Sequence, residues 1–449
     1  MQSPTHSRRP RSRRQDSILL FTTLVAYYFC IEFAYKNFML TRWGEDFLET
    51  SWGLFPEKAP LKLLLPLLFL TLAIFALSFR KRASDFFHLI CLVTPLIPMV
   101  VIQQYKGVGE NYVIMCLLAF LTSFFVSKLP ITAPFIRLKY QIFTNRNYVF
   151  FIVLLGVLLV GIVVLQGGLA YINFNFDDVY TYRRAASDLR GTLVNYVLLN
   201  FVGVLLPLAT ALSFKNKTYA MLIILVFVNI MIFGLTSNKS YLFAALSSFG
   251  LYFILGLRNS AAIFVTLMGF ICLALSVSYL VLPQTDYLGT LFVRRFFFVP
   301  AYVNFQYWEF FSQNPFAFWS DSKLSLGMIQ PVYGVSTPRV VADYFSQVNF
   351  TFRVEGFSNS NTAWFGSGYG NAGYYGLFFY AIISGFVTKY GNILAGIIGT
   401  RTAVAGLGFY FFTIFFTSTD LPAALLSYGF FALIFSMMVW KSGRTHDEK

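Results

Sequence analysis

Long apolar runs separated by short polar segments dominate this chain of 449 residues. A hydrocarbon core about 30 Å thick needs about 20 apolar residues per helix. We therefore predict an all-α polytopic membrane protein with about twelve transmembrane helices. The predicted spans lie at 17–34, 61–79, 86–103, 111–128, 148–167, 192–214, 219–235, 241–257, 261–282, 371–388, 402–418 and 422–440.

Two polar segments, 168–191 and 283–370, interrupt the short loops between these runs. Loops as long as the second are uncommon in compact proteins and are usually functional. Of its residues 283–368, 22 are Phe, Tyr or Trp. So many aromatic side chains predict short helices lying at the membrane interface, and argue against a separate soluble domain.

These segments divide the chain into five predicted regions. They are a basic cytoplasmic tail at 1–16, a bundle of about nine spans at 17–282 that includes the external loop 168–191, a long periplasmic loop at 283–370, the C-terminal spans at 371–440, and a cytoplasmic tail at 441–449.

The composition excludes an ordinary soluble protein. Hydrophobic residues make up 57% of the chain, charged residues only 12%, and the mean hydropathy is +0.65. The net charge of +15 is explained by topology. With the N-terminus in the cytoplasm, 20 of the 34 Lys and Arg residues fall on cytoplasmic segments, against four acids. This is the positive-inside pattern, so no nucleic-acid partner is implied and both termini are predicted to be cytoplasmic.

The first external loop, 168–191, reads as a short helix capped by Asp177 or Asp178. Arg183 and Arg190 then share one helical face, because they are separated by seven residues. Guanidinium groups bind phosphate oxygens in a bidentate manner. The face therefore predicts phosphate recognition.

Arg184 and Asp188 form an i,i+4 pair on the neighbouring face of the same helix. The long loop carries a second doublet, Arg294-Arg295. Single arginines at a membrane edge often extend toward lipid phosphates and have no other role. Two doublets in the two longest external loops favour a diphosphate site instead.

Other chemistries are poorly supported by the sequence. The histidines are His6, His88 and His446, and none is predicted to be external; the four cysteines all lie in predicted spans. No external metal site or disulfide is therefore expected. The glycine-rich run 366–376 lacks the Lys-Ser/Thr of a phosphate-binding loop, so we interpret it as a place of close packing.

Three stretches resemble the Wzy-type O-antigen polymerase family. They are FNFDDVYTYRRAASDLRG, LFVRRFFFVPAYVNF and SNSNTAWFGSGYGNAGYYGLFF. The plan of many spans with one medium and one long external loop is also similar. The resemblance implies a multi-span fold of the GT-C glycosyltransferase type. The implied enzyme polymerises oligosaccharide repeat units in lipopolysaccharide biosynthesis, at the periplasmic face of the bacterial inner membrane.

In this interpretation the donor glycan is linked to undecaprenyl diphosphate, no cofactor or metal is needed, and a chain-length-determining co-polymerase of the Wzz type is the expected partner. The expected catalytic residues are Arg183, Arg184, Arg294, Arg295, Asp178 and Glu355. The expected substrate-binding residues are Arg190, Asp177, Asp188, Asn359, Asn361 and Tyr182.

Two alternative functions remain open. O-antigen ligases have a similar arrangement of spans and external loops, but the lack of an external histidine argues against a ligase. A lipid-linked oligosaccharide flippase or other transporter would place ionisable residues near the bilayer midplane. This chain has its charges at the predicted helix ends, which favours chemistry at the membrane surface.

Overall fold

A computed structural model describes residues 13–43, 57–58, 63–130, 143–175, 179–322, 325, 328–347, 359–438 and 440. Helices account for most of these residues, and no strand occurs among them. The prediction of an all-helical membrane protein is therefore confirmed at the level of fold class.

The main helices of the described part of the chain are α1 to α16. They are α1 (Arg13–Trp43), α2 (Leu64–Ser78), α3 (Ala83–Lys106), α4 (Glu110–Val126), α5 (Asn145–Leu165), α6 (Val179–Asn200), α7 (Leu206–Lys215), α8 (Tyr219–Thr236), α9 (Lys239–Ile254), α10 (Ser260–Val281), α11 (286–311), α12 (Thr337–Gln347), α13 (Trp364–Ile398), α14 (Thr400–Phe409), α15 (Leu421–Ser427) and α16 (Phe430–Met438).

Several of these helices are joined or extended by π-helical turns. One such turn, Phe201–Leu205, connects α6 to α7, and another, Tyr410–Phe415, extends α14.

The number of long apolar helices is smaller than the number of predicted spans. In the described part of the chain, seven helices are long and apolar enough to cross a membrane, or eight if the bent pair α15–α16 is one span. Helices α2 and α4 are apolar but shorter. The chain thus has several helices that can cross a membrane, whereas the number of twelve spans remains a prediction.

Helix α3 continues through two prolines that interrupt the apolar run 86–103. Pro95 lies inside the π-helical turn Leu92–Leu96, and Pro98 occupies the first turn of the α-helical segment that follows. Proline removes a hydrogen-bond donor and clashes with the carbonyl four residues earlier. The wider π turn accommodates that defect, so one helix of 24 residues forms.

The segment predicted to be the long external loop begins with α11, which is buried in the bundle. It packs on α3, α10 and α13. Phe297 lies edge-on to Tyr27, with ring centroids 6.3 Å apart, and Phe298 contacts Tyr35. Asn304 is fully buried. The segment expected to consist only of short interfacial helices therefore starts with an integral part of the core.

Basic side chains cap the carbonyl ends of helices at one end of the bundle. Cations stabilise this end of a helix because its last carbonyls lack partners and carry partial negative charge. Four such bonds are Lys128 Nζ to Ser78 O at 2.6 Å, Lys389 Nζ to Leu129 O at 2.5 Å, Lys215 Nζ to Ile398 O at 2.9 Å, and Arg401 Nε to Tyr252 O at 2.6 Å. All four donors belong to the segments predicted to be cytoplasmic.

Candidate functional site

The first arginine doublet lies in α6, which begins directly after the predicted capping residues. The backbone at Arg183, Arg184 and Asp188 is helical, while their side chains lie outside the described part of the structure. Asp177 and Asp178 are also outside it. The segment predicted to be a short external helix is therefore helical from Val179 onward. The contacts predicted for its charged side chains remain predictions.

Two other candidate residues of the same helix differ in their exposure. Tyr182 is exposed, whereas Arg190 is only 6% exposed. Its Nε donates to Asn195 Oδ1 at 2.8 Å and its Nη1 donates to Leu235 O at 3.1 Å. Because Leu235 lies in the last turn of α8, this guanidinium caps a helix C-terminus. Arg190 therefore stabilises the packing of α6 against α8.

Helix α6 changes direction directly after Arg190. Gly191 has φ 64° and ψ 165°, which breaks the helical path. Glycine adopts this conformation without the steric cost of a Cβ. The break separates the N-terminal part of α6, which carries the doublet, from the part that continues into α7.

The second doublet lies in the π-helical stretch Thr290–Phe298 of α11. Arg295 is exposed, and Arg294 is half-buried with its guanidinium carbon 4.5 Å from the centre of the Trp43 ring. Arg42 lies against the same ring, at 4.6 Å, and its Nε donates to Asp286 Oδ2 at 2.9 Å. We call Arg42, Trp43, Asp286 and Arg294 the Trp43 cluster.

Arg42 was not among the residues predicted to bind substrate. Its position just beyond the apolar run of the first helix marks it only as an external cation, a weak signal shared by many membrane proteins. Arg42 and Arg294 meet at the Trp43 ring because α11 approaches the end of α1. Neither local sequence indicates that approach.

The segment before α13 presents its two asparagines outward. Asn359 and Asn361 are exposed, while Ser360 and Thr362 between and after them are buried. Ser360 Oγ donates to Gln306 Oε1 at 3.0 Å, and Thr362 Oγ1 donates to Asn304 Oδ1 at 3.2 Å. These bonds to α11 hold the segment in place and satisfy its buried polar groups. Glu355, earlier in the same segment, lies outside the described residues.

The glycine-rich run makes the close packing predicted for it. Helix α13 is broken at Ala372 and Gly373, where φ of Gly373 is 60°. The two halves cross at Gly368 and Gly376: a Cβ at Gly376 would lie 2.1 Å from Gly368 O. A Cβ at Gly370 would lie 2.7 Å from the Phe311 ring. Only glycine permits this crossing, which brings the first half of α13 against α11.

A turn from the long segment covers the end of the first half of α13. The backbone N–H groups of Ala317 and Phe318 donate to Gly370 O and Asn371 O at 2.9 and 3.1 Å, and Trp319 N donates to Asn371 Oδ1 at 2.8 Å. Phe318 and Trp319 have φ of 47° and 57°. Such backbone conformations cost about 1–3 kcal/mol each in non-glycine residues. The three hydrogen bonds hold the turn in this conformation.

Beneath this turn lies a polar cluster that the sequence did not single out. Trp319 Nε1 donates to Tyr380 Oη at 2.8 Å, and Tyr380 Oη donates to Asp420 Oδ1 at 3.3 Å. Burial, together with the nearby carboxylate of Asp321, raises the pKa of Asp420 to about 6. We call Asp321, Trp319, Tyr380 and Asp420 the Asp420 cluster. Raised carboxyl pKa values of this kind are common at functional sites.

Within the described residues, no group of three or more His, Cys, Asp and Glu side chains is arranged to hold a metal ion. Comparison of the chain with protein-family models, with curated proteins and with solved structures gave no significant match.

Proposed function

We propose that the chain is an oligosaccharide repeat-unit polymerase, which transfers a growing glycan from undecaprenyl diphosphate to the next lipid-linked repeat unit. The observation that carries the proposal is the Trp43 cluster, in which two guanidiniums lie 4.6 and 4.5 Å from one indole ring. Their central carbons are therefore within about 9 Å of each other. Two arginines this close suit an anion with more than one phosphate.

Stacking on an aromatic ring is compatible with phosphate binding. The ring contacts the face of a guanidinium, whereas the N–H groups that donate to phosphate lie in its plane. When the glycosidic bond breaks, its electron pair moves to the diphosphate, whose negative charge grows. Donors fixed beside that charge stabilise the transition state more than the bound substrate. Arg183, Arg184 and Arg295 are retained in the proposal as further donors.

The membrane setting supports a lipid-linked substrate. The Trp43 cluster lies at the end of α1, so a diphosphate there would be at headgroup level while its polyprenyl chain stayed in the bilayer. The proposal includes a twelve-span fold of the GT-C type, an outer face directed to the periplasm, and a chain-length-determining co-polymerase as partner. In the sequence, charges concentrate at the ends of the predicted spans, which favours this reaction over transport.

The test is elongation by the purified full-length chain in lipid nanodiscs, supplied with an undecaprenyl-diphosphate-linked repeat unit. A ladder of longer lipid-linked products is expected. Arg294→Ala should slow elongation about 10²–10³-fold, by analogy with the loss of one donor to a developing anion. Arg294→Lys should recover only part of the rate, because lysine keeps the charge and loses the planar fork.

Arg401→Ala is the matched control. Arg401 also stacks on an aromatic ring, that of Tyr252 at 3.9 Å, but at the opposite end of the bundle, so its loss should leave elongation unchanged. Transfer of a single glycan to lipid A core would identify a ligase, and movement of substrate without elongation would identify a flippase. Full recovery with Arg294→Lys would show that the arginine only anchors the helix at the membrane edge.

A further inference from the structure

Asp420 combines a fixed position with partial access to the outside. It lies between the π-helical end of α14 and the start of α15, and it remains partly exposed. Its Oδ1 accepts the hydrogen bond from Tyr380, whose oxygen in turn accepts from the Trp319 indole. The Ser367 hydroxyl, which donates to Ala363 O at 3.0 Å, lies beside the carboxylate. Helix α13 and the turn at Trp319, which are distant in sequence, thus orient one carboxylate.

The groups around Asp420 influence its ionisation in opposite directions. Burial and the carboxylate of Asp321 raise its pKa, while the hydrogen bond from Tyr380 lowers it. Asp321 is itself held in place, since its Oδ2 accepts from Thr337 N at 2.6 Å. Among the described residues, the titratable groups coupled to Asp420 are Asp321, Tyr307 and Tyr380. The net result is a carboxylate that is ionised near pH 7 and binds a proton just below it.

The surface beside the Asp420 cluster suits a sugar. Phe318 is 58% exposed, and the neighbouring Trp319 ring packs edge-on against Phe379 of α13 at 6.0 Å. Exposed aromatic faces beside hydrogen-bonding groups match the apolar faces and hydroxyl edges of a sugar ring. Because Phe318 belongs to the turn bonded to Asn371, its ring is presented on a fixed backbone.

We propose that Asp420 is the catalytic base that accepts the proton of the attacking sugar hydroxyl, with Asp321 and Tyr380 as its positioning residues. This inference rests on the polymerase function proposed above and identifies the acceptor side of that reaction.

In the proposed step, a hydroxyl of the acceptor sugar attacks the donor glycan. The acceptor oxygen forms a bond to the anomeric carbon of the donor glycan, and the bond from that carbon to the diphosphate oxygen breaks. The electron pair of the broken bond stays on the undecaprenyl diphosphate. The hydroxyl proton passes to the Asp420 carboxylate and then to water. No oxidant, metal or further co-reactant enters the step.

The experiment measures the elongation rate of the full-length chain in nanodiscs against pH, with the undecaprenyl-diphosphate-linked repeat unit as the probe. Because a base must be ionised, the rate of the wild-type chain should fall below about pH 6, following the pKa of Asp420. Asp420→Asn should lower the rate about 10²–10⁴-fold, the usual range for a general base, at normal protein abundance.

Two further variants test the role of the cluster without removing Asp420. Asp321→Asn removes the neighbouring negative charge, so the acid limb of the pH profile should move to lower pH. Tyr380→Phe removes a hydrogen bond that favours the ionised carboxylate, so the limb should move to higher pH. Opposite shifts of one limb are not expected of residues that merely hold the fold together. Asp343→Asn, at a half-exposed acid paired with Arg339, is the control and should leave the profile unchanged.

The outcomes separate this inference from the proposed function. If the wild-type chain makes no ladder, the polymerase proposal fails. If the wild-type chain makes a ladder and Asp420→Asn elongates at the same rate, Asp420 is not the base. The same conclusion follows if the acid limb of the pH profile is unchanged in both Asp321→Asn and Tyr380→Phe. If Asp420→Asn does not fold, the pH profiles of Asp321→Asn and Tyr380→Phe provide the test. Opposite shifts of the acid limb support Asp420 as the base, and an unchanged limb in both variants contradicts it.

Discussion

At neutral pH the carboxylate of Asp420 destabilises the folded chain. Its folded pKa of about 6 is above its ordinary value of 3.8, so the folded state binds more protons between these values. The free energy of unfolding therefore falls as pH rises from about 4 to 6 and stays low above that range. Asp420→Asn abolishes this ionisation and should raise the thermal midpoint at pH 7.5, on the order of 2 °C.

The same substitution should have little effect on the thermal midpoint near pH 4, where the wild-type carboxyl is mostly protonated. Thermal unfolding in detergent at both pH values measures the difference, with Asp343→Asn as the half-exposed control. A variant that is less stable than wild type at pH 7.5 would contradict the expected cost of ionising Asp420. A stabilising substitution that removes activity is characteristic of functional groups.

At the scale of elements, the crossing of the two halves of α13 depends on glycine. Gly376→Ala places a methyl group 2.1 Å from a backbone oxygen, so the halves must separate. Such overpacking costs about 1–3 kcal/mol, and it should displace Asn371 and the turn that Asn371 holds. We expect a lower thermal midpoint and slower elongation.

Gly396→Ala is the matched control in the same helix. A Cβ there meets nothing within 4 Å, and alanine is favoured over glycine in a helix by about 1 kcal/mol. This variant should be as stable as the wild-type chain or slightly more stable. Equal thermal midpoints for the two alanine variants would show that the close approach of Gly368 and Gly376 is unimportant.

At the scale of the whole molecule, the basic end of the bundle should face the cytoplasm. The four lysines and arginines that cap helix carbonyls are among the residues that produce the positive-inside pattern. Cysteine labelling with a membrane-impermeant maleimide in spheroplasts tests this orientation. Ser336→Cys, at an exposed position near α12, should be labelled directly.

Lys217→Cys, at an exposed position after α7, should react only after the membrane is permeabilised. The parent chain is the control for labelling of its own cysteines, of which Cys91, Cys116 and Cys272 are buried and Cys30 is partly exposed. Labelling in the reverse order would overturn the topology and with it the periplasmic location of the proposed reaction.

The sequence alone determined the class of the protein and the close packing of its glycines. Apolar runs as long as a bilayer is thick leave few alternatives to membrane helices. It could not assign α11 to the core, because Asn304 and Gln306 make that segment look like a surface loop. Their burial is possible only because Thr362 and Ser360 provide hydrogen-bond partners from more than fifty residues away.

The candidate site shows the same division between local and tertiary information. The arginine doublets are visible in the sequence because charge is rare in an apolar chain. The tertiary structure decided that Arg190 caps α8, that Arg42 joins Arg294 at Trp43, and that Asp420 lies beneath Trp319. These partners come from separate helices, and their meeting depends on how the helices pack. Helices that are apolar on every face carry no periodic signal to specify that packing.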